Sequence, residues 1–365
     1  MTDPATPSLT NLSYNDPTVA EPLNDLIRRA GGDPDHEDAR FIREMLITSL
    51  KLFQDGRDRG ELKLMASSMK ELRHAFRVFA RYPSVRKISI FGSARTPEDH
   101  PDYAAAVAFS REMALRDWAV ITGAGDGIMK AGHVGPGRDS SFGLAIRLPF
   151  ETTANTVIAG DPKLITFKYF FTRKLMFVSQ ADAVALFPGG FGTQDESFEV
   201  LTLVQTGKSS MIPIVLVEGE HGDYWTSWQR LVQDTLLEGG FISSEDLGLF
   251  YIASDPADAA DHVQRFYRNY HSSRYVHDEF VIRIRQRLRD EAVERLNDEF
   301  ARIVREGRIA QRSALDEETD HLGLPRIVFT HTRRQWGLVR RLIDRINEME
   351  PAEPLTGTPG PSAAY

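Results

Sequence analysis

An α/β protein built on a parallel sheet with helices on both faces is the fold the sequence predicts, and three observations lead to it. Short apolar, β-branched runs alternate with amphipathic helical stretches from Arg86 to about residue 271. Glycine-rich turns close several of these runs: Gly92-Ser93, Gly123-Ala124-Gly125-Asp126-Gly127, and Gly189 to Gly192. In an alternating strand–helix chain those turns all fall at the carboxyl ends of strands, the edge where such sheets bind ligands.

The elements follow in chain order. Residues 1–18 and 351–365, rich in Pro, Thr, Gly and Ala, are expected to be disordered. Residues 19–82 predict a helical extension. Phe41, Met45, Leu46, Leu50 and Phe53 fall on one helical face and Leu64, Met65, Met69, Leu72 and Phe76 on the next, both expected to pack against a core. The main domain is expected over 83–271, with strands at Ile88–Phe91, Trp118–Ile121, Phe142–Ile146, Leu164–Phe167, Val184–Phe187 and Ile212–Val217. Tyr103–Arg116 predicts an amphipathic helix between the first two. Residues 272–350 change character. Glu279–Ile284, Ile309–Leu315 and Arg326–Thr330 read as strands, Asp290–Arg305 and Trp336–Met349 as helices. This βαββα order fits a small ferredoxin-like or ACT-like α+β module, packed apart from the main sheet and free of the motif residues described next.

The most informative stretch is Pro188-Gly189-Gly190-Phe191-Gly192-Thr193-Gln194-Asp195-Glu196, between a buried strand and a helix. Glycine at three of four consecutive positions lets the backbone approach a ligand without Cβ clashes. The N–H groups of the following helix then face that ligand, and the helix dipole favours an anion, most often phosphate. Glu196 would stand beside it as a carboxylate available for chemistry. Thr193-x-x-Glu196 also fits a capping box, in which Glu196 only returns to the Thr193 N–H. Spacing leaves both readings open.

Composition removes other classes. A net charge of -8 argues against a nucleic-acid binder, which would carry a basic face. No run approaches the ~18 apolar residues of a membrane span, and the polar N-terminus lacks the order of a signal peptide, so a cytoplasmic protein is expected. Zero cysteines exclude disulfides, thiolate metal sites and cysteine nucleophiles, and the ten histidines show no ligand spacing. Gly123-x-Gly125-x-Gly127 lacks the dinucleotide-binding spacing, and the P-loop, H-E-x-x-H and Gly-x-Ser-x-Gly motifs are absent. No metal and no cofactor are expected.

From about Lys87 to Asp255, less than half of the chain, the sequence resembles the LOG (LONELY GUY) family of phosphoribohydrolases, long mislabelled as lysine decarboxylases. Pro188 to Glu196 meets the family's P-G-G-x-G-T-x-x-E pattern throughout, and Phe170-Phe171-Thr172-Arg173-Lys174-Leu175-Met176 matches its upstream Arg-Lys element. Leu148-Pro149-Phe150-Glu151 together with Phe167-Lys168-Tyr169-Phe170-Phe171 is similar to the longer bacterial branch. Where short members carry three consecutive glycines, Ala124 interrupts them here, a departure towards the larger bacterial nucleotide nucleosidases. The resemblance implies a Rossmann-like fold, a homodimer or higher oligomer, and hydrolysis of a nucleoside 5'-monophosphate, AMP or an N6-modified AMP, to free base and ribose 5-phosphate. It implies catalytic roles for Glu196 and Arg173. Substrate and phosphate contacts would come from Gly92, Ser93, Gly125, Lys174, Gly189, Gly190, Gly192 and Thr193. The rival expectation is a non-catalytic nucleotide sensor using the same pocket.

Overall fold

The computed structural model describes residues 16–148 and 154–352, and the chain divides into two compact units, 1–73 and 74–365. Most of the two expected tails, and the Pro149-Phe150-Glu151 part of the resemblance, lie outside the described residues.

In the first unit, helix α1 (Pro17–Arg29) begins where the Asp16 carboxylate accepts from the Thr18 N–H at 2.9 Å, with Pro17 in the first turn, where no donor is needed. Helix α2 (Ala39–Gln54) follows, and α3 (Arg59–Phe79) starts here and continues past residue 73. Among the described apolar residues of this unit, Leu23, Ile27, Ala39 and Ile47 are buried. The faces expected to pack are instead open: Phe53 is 84% exposed, and Phe41, Met45, Leu50, Leu64, Met65 and Met69 are exposed too.

The second unit holds a seven-stranded sheet. From β1 (Arg86–Phe91) the chain steps outward through β2 (Trp118–Thr122), β3 (Ser141–Ile146) and β4 (Leu164–Phe167). It then returns to the other side of β1 for β5 (Ala183–Leu186), β6 (Ile214–Leu216) and the short β7 (Tyr251–Ile252). The order is β4-β3-β2-β1-β5-β6-β7, all parallel. Every residue of β1, β2 and β5 is buried, so both faces are covered, as an α/β sheet of the Rossmann-like kind requires. The covering helices are α4 (Pro101–Leu115), α5 (Ile128–Val134), α6 (Phe170–Ser179), α7 (Phe191–Gln205), α8 (Tyr224–Leu231) and α9 (Pro256–Phe266). The direction of winding reverses between β1 and β5, and the crevice outside that switch point is where such a sheet takes its ligand.

A second, antiparallel sheet follows: β8 (Tyr270–Val276), β9 (Glu279–Ile284), β10 (Val304–Arg312) and β11 (Arg326–His331), in the order β10-β11-β9-β8. With α10 (Asp290–Phe300) and α11 (Trp336–Glu348) the element order is ββαββα rather than the expected βαββα. The small antiparallel module is there, but it opens with a hairpin instead of a ferredoxin-like strand–helix step. β8 was hidden because a register irregularity between Tyr270 and Ser272 breaks its alternation. Likewise α10 stops at Phe300, and β10 starts at Val304, ahead of the expected Ile309. No helix among the described residues is long and apolar enough to cross a membrane.

Helix α11 ties the small sheet to the large one. Gly207, at φ +66°, lies directly under the Trp336 indole, and Gly337 lies against the Glu245 backbone. The Asn347 side chain accepts from the Asn269 and Tyr270 N–H groups at 2.8 Å each. Val339, Leu342, Ile343 and Ile346 are completely buried. At about 1.5–3 kcal/mol for each fully buried aliphatic side chain, their loss is comparable with the ~5–15 kcal/mol that holds a whole domain folded. A chain ending at Ser272 is therefore expected to lack a cooperative thermal transition; a fragment that melts sharply would contradict this.

Candidate active site

A cleft of about 1330 Å³ opens at the switch point. Gly92, Ser93 and Arg95 enter it after β1, Gly123 to Gly125 after β2, Arg147 from beyond β3, and Gly189 to Glu196 after β5. Arg173 reaches it from α6. The Ser93 N–H donates to the Pro188 carbonyl at 3.0 Å and joins the first and third loops across the reversal of winding. Gly92 is required by crowding, since a Cβ there would lie 2.6 Å from the Ile128 side chain. Gly189 is equally confined, with the Thr193 side chain against it and the Ser93 nitrogen 3.0 Å from where a Cβ would stand. Gly190 and Gly192, in contrast, face open space.

Helix α7 starts earlier than a capping box allows. Its N-cap is Gly190, no side chain caps it, and the first backbone bond of the turn runs from the Gln194 N–H to the Gly190 carbonyl at 3.0 Å. Thr193 is thus the third helical residue and Glu196 the sixth, which removes the capping reading of Glu196. The N–H groups of Phe191, Gly192 and Thr193 fall in the first turn, where an α-helix offers them no internal acceptor. They stand at the N-terminal end of a helix of 15 residues, the end whose dipole favours an anion.

Glu196 lines the cleft one and a half turns further on, and its Oε2 is buried and accepts no hydrogen bond among the described residues. Burial pushes its carboxyl up to about 7, against the opposing pull of the Lys174 and Arg173 charges. Arg173 donates from Nε to the Leu144 carbonyl at 2.7 Å and stacks over the Phe177 ring, which lays its guanidinium beside Gly123 in the cleft wall. Lys174 is the exception among the expected contact residues. It does not line the cleft; its ammonium pairs with Asp195 at 2.9 Å and Glu199 at 2.6 Å. A single helical step separates it from Arg173, which turns it to a different face of α6. Its charge reaches Glu196 only through space, favouring the ionised form.

Several participants escaped the sequence reading. Arg95 and Arg147 add positive charge to the lining, against Asp195 and Glu196 as its carboxylates. Tyr224 donates to the Gly189 carbonyl at 2.5 Å and Gln194 to the Tyr224 oxygen at 2.7 Å, while Trp228 donates to the other end of Gln194 at 2.9 Å. Beneath the second loop lies His133, fully buried, with Nε2 at 3.0 Å from both the Phe142 carbonyl and the Thr122 hydroxyl. Burial pushes its pKa down to about 4, so the ring is neutral and its Nδ1 accepts from Asn155 at 3.2 Å. Lone aromatic, amide and imidazole side chains far apart in the chain carry no spacing signal, and only the fold brings them together.

Residues 125–263 match a protein-family model described as "possible lysine decarboxylase", the label under which LOG sequences have been grouped. Two probable cytokinin riboside 5'-monophosphate phosphoribohydrolases of the LOG type from Oryza sativa subsp. japonica are similar to part of this chain. One is 24% identical over 180 residues, covering 48% of this chain and 74% of its own. The other is 25% identical over 188 residues, covering 50% and 71%. Over this region the chain is similar to the LOG family. Among solved structures, the molybdenum cofactor carrier protein of Chlamydomonas reinhardtii is similar at 18% identity and a TM-score of 0.35, over 50% of this chain and 97% of that one. DNA processing protein A from Helicobacter pylori is similar at 10% identity and a TM-score of 0.33, over 51% and 82%.

Proposed function

We propose that this chain, like the LOG family it resembles, hydrolyses the N-glycosidic bond of nucleoside 5'-monophosphates, AMP or an N6-modified AMP, to free base and ribose 5-phosphate. The observation that carries the reading is Glu196: a half-buried side chain with one buried, unpartnered carboxylate oxygen, in a cleft that also holds the open N-terminus of α7. The 5'-phosphate binds the N–H groups of Phe191, Gly192 and Thr193, with the arginines of the lining adding charge. As the C1'–N bond breaks, positive charge develops on C1' and the ring oxygen, as in glycoside hydrolysis. The Glu196 carboxylate stabilises that charge from across the cleft and orients the water that bonds to C1'. The electron pair of the broken bond leaves with the base, which takes up a proton, and Arg173 steadies the departing base. Incubation of the purified chain with a panel of nucleoside monophosphates, followed by chromatography for free base, tests the reading. Release of base from none of them would sink it.

The open apolar faces of α2 and α3 support a homodimer or higher oligomer, because contiguous exposed apolar surface of this kind usually marks an interface. Light scattering at micromolar concentration is expected to give at least twice the chain mass of 41.1 kDa. A monomer would contradict it.

A further inference from the structure

Two of the three glycine-rich loops are held from behind by a residue that does not line the cleft. On the third loop the holder is Tyr224. The indole N–H of Trp228 can only donate, so the Gln194 atom it meets at 2.9 Å is the amide oxygen. The Gln194 NH2 is then turned to Tyr224, whose oxygen accepts it at 2.7 Å, and the Tyr224 hydrogen is left for the Gly189 carbonyl at 2.5 Å. Each link fixes the polarity of the next. In a trans peptide the C=O and N–H point in opposite directions, and the described chain has no cis peptide. A Gly189 carbonyl drawn back to Tyr224 therefore turns the Gly190 N–H the opposite way, and Gly190 lines the cleft.

The second loop repeats the device with different chemistry. The Asn155 backbone N–H donates to the Ala124 carbonyl at 2.8 Å, and its side-chain NH2 donates to the Gly125 carbonyl at 3.0 Å. The Asn155 amide is itself oriented, its oxygen accepting from the Val157 N–H at 3.2 Å and its nitrogen facing neutral His133. Ala124 is held at φ +63°, a left-handed conformation that an alanine adopts only under constraint. With the Ala124 carbonyl drawn back, the Gly125 N–H is turned to the cleft that Gly125 lines.

We propose that Tyr224 and Asn155 are positioning residues that lock these two peptides, so that the Gly190 and Gly125 amides present themselves to a bound phosphomonoester. This rests on the phosphate-binding half of the proposed function but is tested without turnover. The probe is ribose 5-phosphate, titrated calorimetrically into the full chain and into Tyr224→Phe, which keeps the ring against Trp225 and deletes only the hydroxyl. Loss of one oriented amide is expected to weaken binding about tenfold and to raise KM for AMP by a similar factor, with kcat and the melting temperature nearly unchanged. The Ala124 carbonyl is held by the Asn155 backbone N–H, which a side-chain substitution leaves in place, so Tyr224→Phe is the deciding variant. Unchanged ribose 5-phosphate affinity in Tyr224→Phe would overturn the proposal, as would a loss confined to kcat or a native chain that binds no ribose 5-phosphate. A native chain that binds this probe yet releases no base from any nucleotide would sink the hydrolase reading while leaving the locks to be judged by affinity.

Discussion

Glu196→Gln is expected to lower kcat for base release by roughly two to four orders of magnitude, about 3–5 kcal/mol of barrier, with KM and the melting temperature little changed. The substitution keeps the size and hydrogen-bonding capacity of the side chain and removes only the charge that a ribosyl cation needs. The pH profile provides an internal control. With its pKa raised to about 7, Glu196 is protonated below neutrality and ionised above it, so kcat/KM is expected to climb through about pH 7 and level off. In the Gln variant that rising limb should vanish. An enzyme that keeps its rate with Gln at 196 would show that the carboxylate has no part in the chemistry.

Removing the 5'-phosphate from the substrate is expected to be nearly as damaging. The first turn of α7 offers three N–H groups without internal acceptors, and Arg95, Arg147 and Arg173 line the same cleft. Charge-assisted hydrogen bonds contribute about 1.5–3 kcal/mol each, so losing two or three of them lowers kcat/KM by at least about a hundredfold. Comparing adenosine with AMP under identical conditions measures it. Equal turnover would remove the phosphate from the account.

The parts of the fold visible in the sequence are those with strong local signals. The apolar runs of β1, β2, β3 and β5 are buried on both sheet faces, and such strands read as continuous hydrophobic stretches. Gly92, Gly125 and Gly189 are legible because close approach of a neighbour to the backbone has few substitutes for glycine. Where the signal was weaker the reading slipped. β8 carries polar residues and an irregular register, and the two residues of β7 leave no period to detect. The capping-box alternative failed because Gly190 already starts the helix, a decision made by backbone geometry that the motif spacing does not encode. Lys174 was carried along with its neighbour Arg173, although adjacent helical residues face different ways and Lys174 meets Asp195 and Glu199 instead. Tyr224 and Asn155 act across 35 and 30 residues of sequence, a distance over which single polar side chains give no pattern.

The central claim is that water attacks C1' of a nucleoside monophosphate, and the position of the new oxygen tests it most directly. AMP incubated with the chain in water enriched in oxygen-18 is expected to yield adenine and ribose 5-phosphate in equal amounts, with the label at C1 of the sugar and none in the phosphate. Label in released inorganic phosphate with adenosine as the other product, or no cleavage at all, would contradict the account.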